Sequence, residues 1–413
     1  MADLLIRNIS KLAQVREVAT RAISGERMSF LPILEDSWLL AVDGRIQMYG
    51  PMTTCPERAD EVIDATGRIV VPAWCDPHTH LVHAATRERE FVDRIKGMTY
   101  EQIAARGGGI LNSAARLRDM DENRLFDDAC ERLNRCIASG TGAIEIKSGY
   151  GLTVDAELKM LRVIKRLREW APIPVKATFL GAHAFPGEYK EDREGYVRLI
   201  IEQMLPQVAG EGLAEFIDVF CEVNYFTPEQ TDRILGAGVK LGLRPKVHVN
   251  QFNANGGIAV AAKHGALSVD HLEVMDEADI RALKGSGIMP TVLPGCSHFL
   301  GIPFAPVRQM MDAGLPVALA TDYNPGSAPS GNMCTVVSLA CVKMRMLPEE
   351  AINAATINAA VAMAVADRCG SVTVGKRADL FITNRMESVA AIPYHFGHSP
   401  VWKMIVAGKE FKD

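Results

Sequence analysis

The sequence predicts an α/β protein, a (β/α)8 TIM barrel with a small β-sandwich domain built from both chain termini. Three observations carry this. First, β-like runs alternate with amphipathic helical runs eight times within roughly 250 residues, the span of a closed parallel barrel. Second, no glycine-rich dinucleotide fingerprint supports an open doubly wound sheet, the competing architecture. Third, short alternating segments broken by Asp-Gly and Thr-Gly turns precede the first unit, and further β-like segments follow the last. The expected division is 1–70 plus 372–413 for the composite β-domain and 71–371 for the barrel.

In chain order, segments 4–9, 37–46 and 61–69 read as short β-structure. The eight barrel strands are expected at 68–82, 142–147, 174–183, 216–222, 245–250, 266–273, 288–294 and 316–322. Between them lie helices such as 157–167, where Leu158, Leu161, Ile164 and Leu167 recur at helical spacing and Lys159, Arg162 and Arg166 take the other face. After the barrel, 372–382 and 402–406 read as strands that join the N-terminal ones.

Composition narrows the function. A chain of 413 residues with 48% hydrophobic and 23% charged residues is an ordinary globular protein with room for a large core. Its formal charge of -5 leaves no basic footprint for nucleic acid and favours a small-molecule substrate. The start has neither a basic n-region nor a sustained apolar stretch, and no run is long enough to span a membrane, so a cytoplasmic protein is expected. Nine scattered Cys without a Cys-x-x-Cys indicate neither a disulfide framework nor a thiolate zinc site.

The chemistry is carried by polar residues at strand ends. Asp76-Pro77-His78-Thr79-His80 closes the first strand, and alternation along a strand points His78 and His80 to one face, where they can share one ion. With 10 His in the chain, chance gives such a pair about 0.2 times, so position must decide. Barrel enzymes place their chemistry at the C-terminal ends of the strands. There stand Lys147 and Tyr150 after strand two, His183 after three, Glu222 after four, His248 and Gln251 after five, His271 after six, His298 beyond seven and Asp322 after eight. A third imidazole from His248 and a carboxylate from Asp322 would complete a site for Zn²⁺ or Fe²⁺ with one position open to water. Such an ion lowers the pKa of water and polarises a carbonyl.

The chain resembles the metal-dependent amidohydrolase superfamily, and within it the branch that opens the imidazolone ring in histidine degradation. The resemblance covers nearly the whole chain. It rests on the segments 76–82, 87–91, 107–110, 145–152, 179–184, 218–222, 270–273 and 320–327, of which Lys147-Ser148-Gly149-Tyr150-Gly151-Leu152 and Asp322-Tyr323-Asn324-Pro325-Gly326-Ser327 are the most specific. It implies one Zn²⁺ or Fe ion per subunit on His78, His80, His248 and Asp322, the substrate 4-imidazolone-5-propanoate, the product N-formimidoyl-L-glutamate, and a homodimer. It further implies that Arg87 meets the substrate carboxylate, that Tyr150 and His183 contact the substrate, and that Asn324, Gly326 and Ser327 form a loop against the ring. An arginine can grip a propionate with two parallel charge-assisted bonds, a geometry lysine cannot copy.

The catalytic roles expected are Asp322 as acceptor of the attacking water's proton and His271 beside the developing oxyanion. One position departs from part of the family. Some members carry a glutamate where this chain has Gln251, and since glutamine cannot titrate, Gln251 should orient substrate while proton transfer falls on Asp322 and His271. Three other readings compete. A carboxylated Lys147 could bridge two ions, with His183 and His271 on the second, although a buried pairing of Lys147 with Glu145 or Asp76 would also explain it. A mononuclear deaminase would normally place a glutamate just after the strand-five histidine. A noncatalytic scaffold would have lost ligands that stand here. The glycine run 107–109 is expected in a loop over the site. His83, His264, His395 and His398 are expected to be structural or on the surface, and His298 is undecided.

Overall fold

The computed structural model describes residues 3–18, 22–98, 102 and 108–412. Gly107 lies outside the described residues; Gly108 and Gly109 lie within them. Two sheets organise the chain. The first is mixed and comes from both ends: β1 (Leu4–Ala13), β2 (Ile33–Val42), β3 (Arg45–Pro51), β4 (Glu61–Asp64) and β5 (Arg68–Pro72) precede the barrel, and β14 (Leu380–Arg385), β15 (Val401–Val406) and β16 (Lys409–Glu410) follow it. Its order is β16-β15-β14-β5-β1-β2-β3, with β4 also paired to β1. Leu4, Ile6, Ile9, Leu39, Ile46, Val70, Leu380, Ile382 and Ile405 gather in a separate apolar core, which is why the termini must meet before either half of this sheet is stable.

The second sheet is the barrel. Its strands are β6 (Trp74–Thr79), β7 (Thr141–Lys147), β8 (Val175–Ala182), β9 (Phe216–Cys221), β10 (Arg244–Val249), β11 (Ser268–His271), β12 (Met289–Val292) and β13 (Ala318–Leu319), in sequential order. Every neighbouring pair is parallel. Helices such as Val154–Trp170, which buries Leu158, Leu161, Ile164 and Leu167 as its periodicity requires, fill the connections.

The expected first strand, 68–82, is two strands. β5 pairs with β14 in the mixed sheet, whereas β6 pairs with β7 in the barrel. The handover falls between Ala73, whose N–H donates to Asp379 O at 2.9 Å, and Trp74, whose N–H donates to Gly140 O at 2.9 Å. An uninterrupted apolar run cannot reveal that its two halves serve different sheets. The expected 372–382 strand is likewise shorter, starting only at Leu380.

The barrel's seam lies between its first and last strands. Asp322 N–H donates to His78 O at 3.0 Å and His80 N–H to Tyr323 O at 2.8 Å, just beyond the ends of β13 and β6. These bonds bring residues about 240 positions apart in sequence side by side at the C-terminal ends of the barrel strands.

Candidate active site

His78, His80, His248 and Asp322 converge at that end. Asp322 Oδ1 lies 3.5 Å from His78 Nε2 and 3.6 Å from His80 Nε2, and His80 Nε2 is 3.5 Å from His248 Nε2. His78 Nε2 is buried and has no hydrogen-bond partner among the described residues. His78, His80 and Asp322 form one set of close ligand atoms and His78, His248 and His271 another, and with such an orphaned nitrogen shared by both they fit a divalent ion of Zn²⁺ or Fe²⁺ type. Burial, with Lys147 and neighbouring imidazoles adding to it, pushes the His78 pKa well below its ordinary value. His80 is pushed the same way by burial and His183. Both rings are thereby held neutral, as ligands must be.

Two of the rings are oriented from behind. His78 Nδ1 lies 2.7 Å from Asp270 Oδ2, and His248 Nδ1 lies 2.8 Å from Asp218 Oδ2, so each presents Nε2 to the centre. Lys147 sits beneath both carboxylates, with Nζ 2.8 Å from Asp218 Oδ2, 3.4 Å from Asp270 Oδ2 and 2.8 Å from Glu145 Oε1. Lys246 pairs with the other oxygen of Glu145. Burial alone would strip the proton from Lys147, but the carboxylates Asp218, Glu145 and Asp270 outweigh it and raise its pKa. The three carboxylates around it account for the burial of Lys147 as an ion-pair partner. Its expected partner Glu145 is present. Asp76 is not its partner, because it accepts from Thr321 N–H at 3.1 Å and from Thr321 Oγ1 at 2.6 Å.

Above this centre opens a cleft of about 780 Å³ including its mouth. Arg87, Tyr150, His183, Gln251, His271, Asn324, Gly326 and Ser327 all line it, together with His80, His248 and Asp322; His78 lies beneath its floor. Tyr150, His80 and His183 group together, with the His80 and His183 rings stacked at 5.1 Å. Arg87 Nε and Nη2 donate to Glu90 Oε2 at 2.8 and 2.5 Å, while Glu90 Oε1 accepts from Gly109 N–H at 2.9 Å. A side chain at Gly326 would collide with the Arg87 guanidinium, which explains glycine there. Asn324 organises its own loop, donating to Asp322 O at 2.7 Å and accepting from Gly326 and Ser327 N–H, both at 2.8 Å.

His271 faces the same space, and its Nδ1 lies 3.5 Å from Glu273 Oε1, which Ser297 Oγ also engages at 3.0 Å. Burial opposes charge on His271, but Glu273 and then Asp322 raise its pKa above the ordinary value. Burial raises the Asp322 carboxyl pKa, against the pull of His271 and His248. Asn250, His271, Leu272 and Asp322 all have positive φ (57°, 92°, 67° and 55°). Such backbone is strained for side-chain-bearing residues and persists where surrounding bonds over-determine it.

Sequence reasoning missed the orienting roles of Asp218 and Asp270 and the cleft residues Glu90, Arg94, Phe220, Tyr225 and Phe252. The available signal was that Glu90, Asp218, Phe220 and Asp270 fall in the segments 87–91, 218–222 and 270–273 that carry the family resemblance. Among the other histidines, His83 is buried with Nδ1 3.1 Å from His80 O, His264 pairs with Asp232, and His395 and His398 are exposed. His298 is exposed and lines a separate apolar hollow with Phe299, Pro329 and Val336.

Comparison with known proteins agrees with this geometry. Residues 69–410 match the amidohydrolase family. The imidazolonepropionase of Flavobacterium johnsoniae is 55% identical over 406 residues, covering 98% of this chain and 99% of the relative. That of Geobacillus kaustophilus is 42% identical, covering 99% of this chain and 98% of the relative. Among solved structures, Escherichia coli guanine deaminase superposes with a TM-score of 0.73 at 14% identity, covering 100% of this chain and 99% of that one. A Xanthomonas campestris adenosine deaminase with bound zinc superposes with a TM-score of 0.68 at 16% identity, covering 99% and 92%. At those identities the two structures speak for the fold. The chain belongs to the amidohydrolase family and, within it, to the imidazolonepropionases.

Proposed function

We propose that this chain hydrolyses the ring C–N bond of 4-imidazolone-5-propanoate to N-formimidoyl-L-glutamate. Carrying this reading is the coincidence of near-full-length similarity to imidazolonepropionases with a single cleft lined by Arg87 as well as by His80, His248 and Asp322. His78, His80, His248 and Asp322 would hold the ion, zinc or iron. When bound, it supplies a Lewis acid for the ring carbonyl and lowers the pKa of a water.

The remaining work belongs to the chain. Arg87 grips the propionate and fixes the ring's direction, with Arg94 adding a second positive charge nearby. Tyr150 and His183 bound the ring on one side, and the 324–327 loop bounds it on the other. Gln251 orients the ring by hydrogen bonds. Water attacks the ring carbonyl, Asp322 takes its proton, and His271 faces the oxyanion that forms. Collapse breaks the ring C–N bond, and the proton on Asp322 returns to the departing nitrogen. The chain would act in the cytoplasm as a homodimer, which light scattering would test as twice the chain mass.

Ultraviolet decay of freshly generated 4-imidazolone-5-propanoate, with mass identification of the product, tests the reading. Formation of N-formimidoyl-glutamate that a chelator abolishes and Zn²⁺ or Fe²⁺ restores is the expected result. Release of free ammonia instead would point to a deaminase, and no decay by metallated protein would overturn the assignment.

A further inference from the structure

The turn that carries Gln251 into the cleft is held by a buried carboxylate outside the chemistry described so far. Glu222 follows β9 and is 2% exposed. Its Oε2 accepts from Phe252 N–H at 2.8 Å and Asn253 N–H at 3.2 Å, and its Oε1 accepts from Val223 N–H at 2.7 Å and Asn253 Nδ2 at 3.1 Å. Its backbone carbonyl accepts from Tyr225 N–H at 3.0 Å. One side chain therefore spans the ends of two adjacent parallel strands, β9 and β10, and holds the backbone N–H groups of Val223, Phe252 and Asn253, of which Phe252 lines the cleft and directly follows Gln251.

The other side of the turn is also fixed. Asn250, at φ +57°, donates through Nδ2 to Asp279 Oδ2 at 2.7 Å and accepts from Val274 N–H at 2.9 Å. Gln251 lies between these anchors and reaches over the cleft, with Nε2 3.5 Å from Cys296 Sγ. A neutral amide contributes to a reaction only through direction, so what aims it matters more than it would for a titrating acid.

We propose that Glu222 is the positioning residue for Gln251, setting the direction of the amide that meets the ring. The inference rests on the imidazolone ring-opening reading. A glutamate suits the task because four donors converge on its two oxygens, each bond charge-assisted. A glutamine would turn an NH₂ group toward at least one pair of those donors.

A double-mutant cycle tests it. Glu222→Gln should lower kcat/KM for 4-imidazolone-5-propanoate about tenfold or more, mostly in kcat, with metal content unchanged. Gln251→Ala should lower it too, and the double variant should be no worse than the poorer single one. Wild-type kcat/KM in Glu222→Gln, or losses that multiply in the double variant, would overturn the proposal. If Glu222→Gln does not fold, Asn253→Ala carries the same cycle, with a several-fold loss expected that vanishes when Gln251 is already alanine. Amide hydrogen exchange needs no substrate: slow exchange at Phe252 and Asn253 that Glu222→Gln makes fast supports the hold, whereas fast exchange in the wild type refutes it. Failure of the wild type to open the ring would strike the functional reading alone, leaving the exchange result to judge Glu222.

Discussion

Arg87 is held before any substrate arrives. Its Nε edge is taken by Glu90, and Glu90 is in turn fixed by the N–H of Gly109, so the guanidinium is pre-organised at the cost of a negative charge close by. Arg87→Ala should therefore raise KM about 10²-fold with a much smaller change in kcat, the loss expected of a charge-assisted pair. Part of that loss comes from leaving Glu90 unpaired in the cleft, so adding Glu90→Gln should recover some of it; steady-state kinetics of the two variants would show no recovery if Glu90 were only a scaffold. Asp322→Asn should abolish turnover and weaken metal binding, measured by competition with a chromophoric chelator. Arg87 stood out in the sequence only through resemblance, because an Arg-Glu-Arg-Glu run ordinarily reads as solvated charge.

At the scale of elements, buried acids on one strand or helix hold the loop of a neighbouring element. Asp76 on β6 holds Thr321 beside Asp322, Glu222 after β9 holds the 252–253 turn, and Glu157 in the helix Val154–Trp170 accepts from Gly149, Gly151 and Leu152 N–H at 3.1, 2.7 and 3.0 Å. Glu157 thus fixes both sides of Tyr150. Glu157→Gln should cost about 1–3 kcal/mol of stability and raise KM, because buried N–H groups lose their acceptor and Tyr150 its position. Asp155→Asn, exposed on the same first turn, should change neither in parallel urea unfolding and kinetics. Strand ends were legible from apolar runs followed by polar residues, but these cross-loop bonds were not, since no local pattern marks which buried acid serves which loop.

Across the whole molecule, the buried histidines couple stability to pH. Burial, with Arg132 adding to it, pushes the His83 pKa from 6.5 down to about 3. Below pH 6.5 the unfolded chain takes up a proton that the folded chain refuses, so this stability is present above pH 6.5 and is lost progressively as pH falls toward 3. Urea unfolding of metal-depleted protein should show stability falling between pH 7 and 5, with a slope of up to about 1.4 kcal/mol per unit from His83. His83→Gln should flatten that slope, and an unchanged slope would mean His83 titrates alike in both states. Removing the ion should also lower the thermal midpoint of the native protein, because a ligand bound only by the folded state stabilises it.

The sequence by itself determined the barrel class and the approximate places of its later strands, and it singled out His78, His80, His248 and Asp322 as candidate ligands, because strand period and strand-end polarity are local properties of the chain. Tertiary structure alone decided the rest. It split the apolar run 68–82 between two sheets, since pairing partners and not composition assign a strand. It set Lys147 among Glu145 of its own strand and Asp218 and Asp270 from two others, since charge state depends on neighbours brought in from elsewhere in the chain. It also closed the barrel at His78 and Asp322, where two segments that share no sequence neighbourhood become one site.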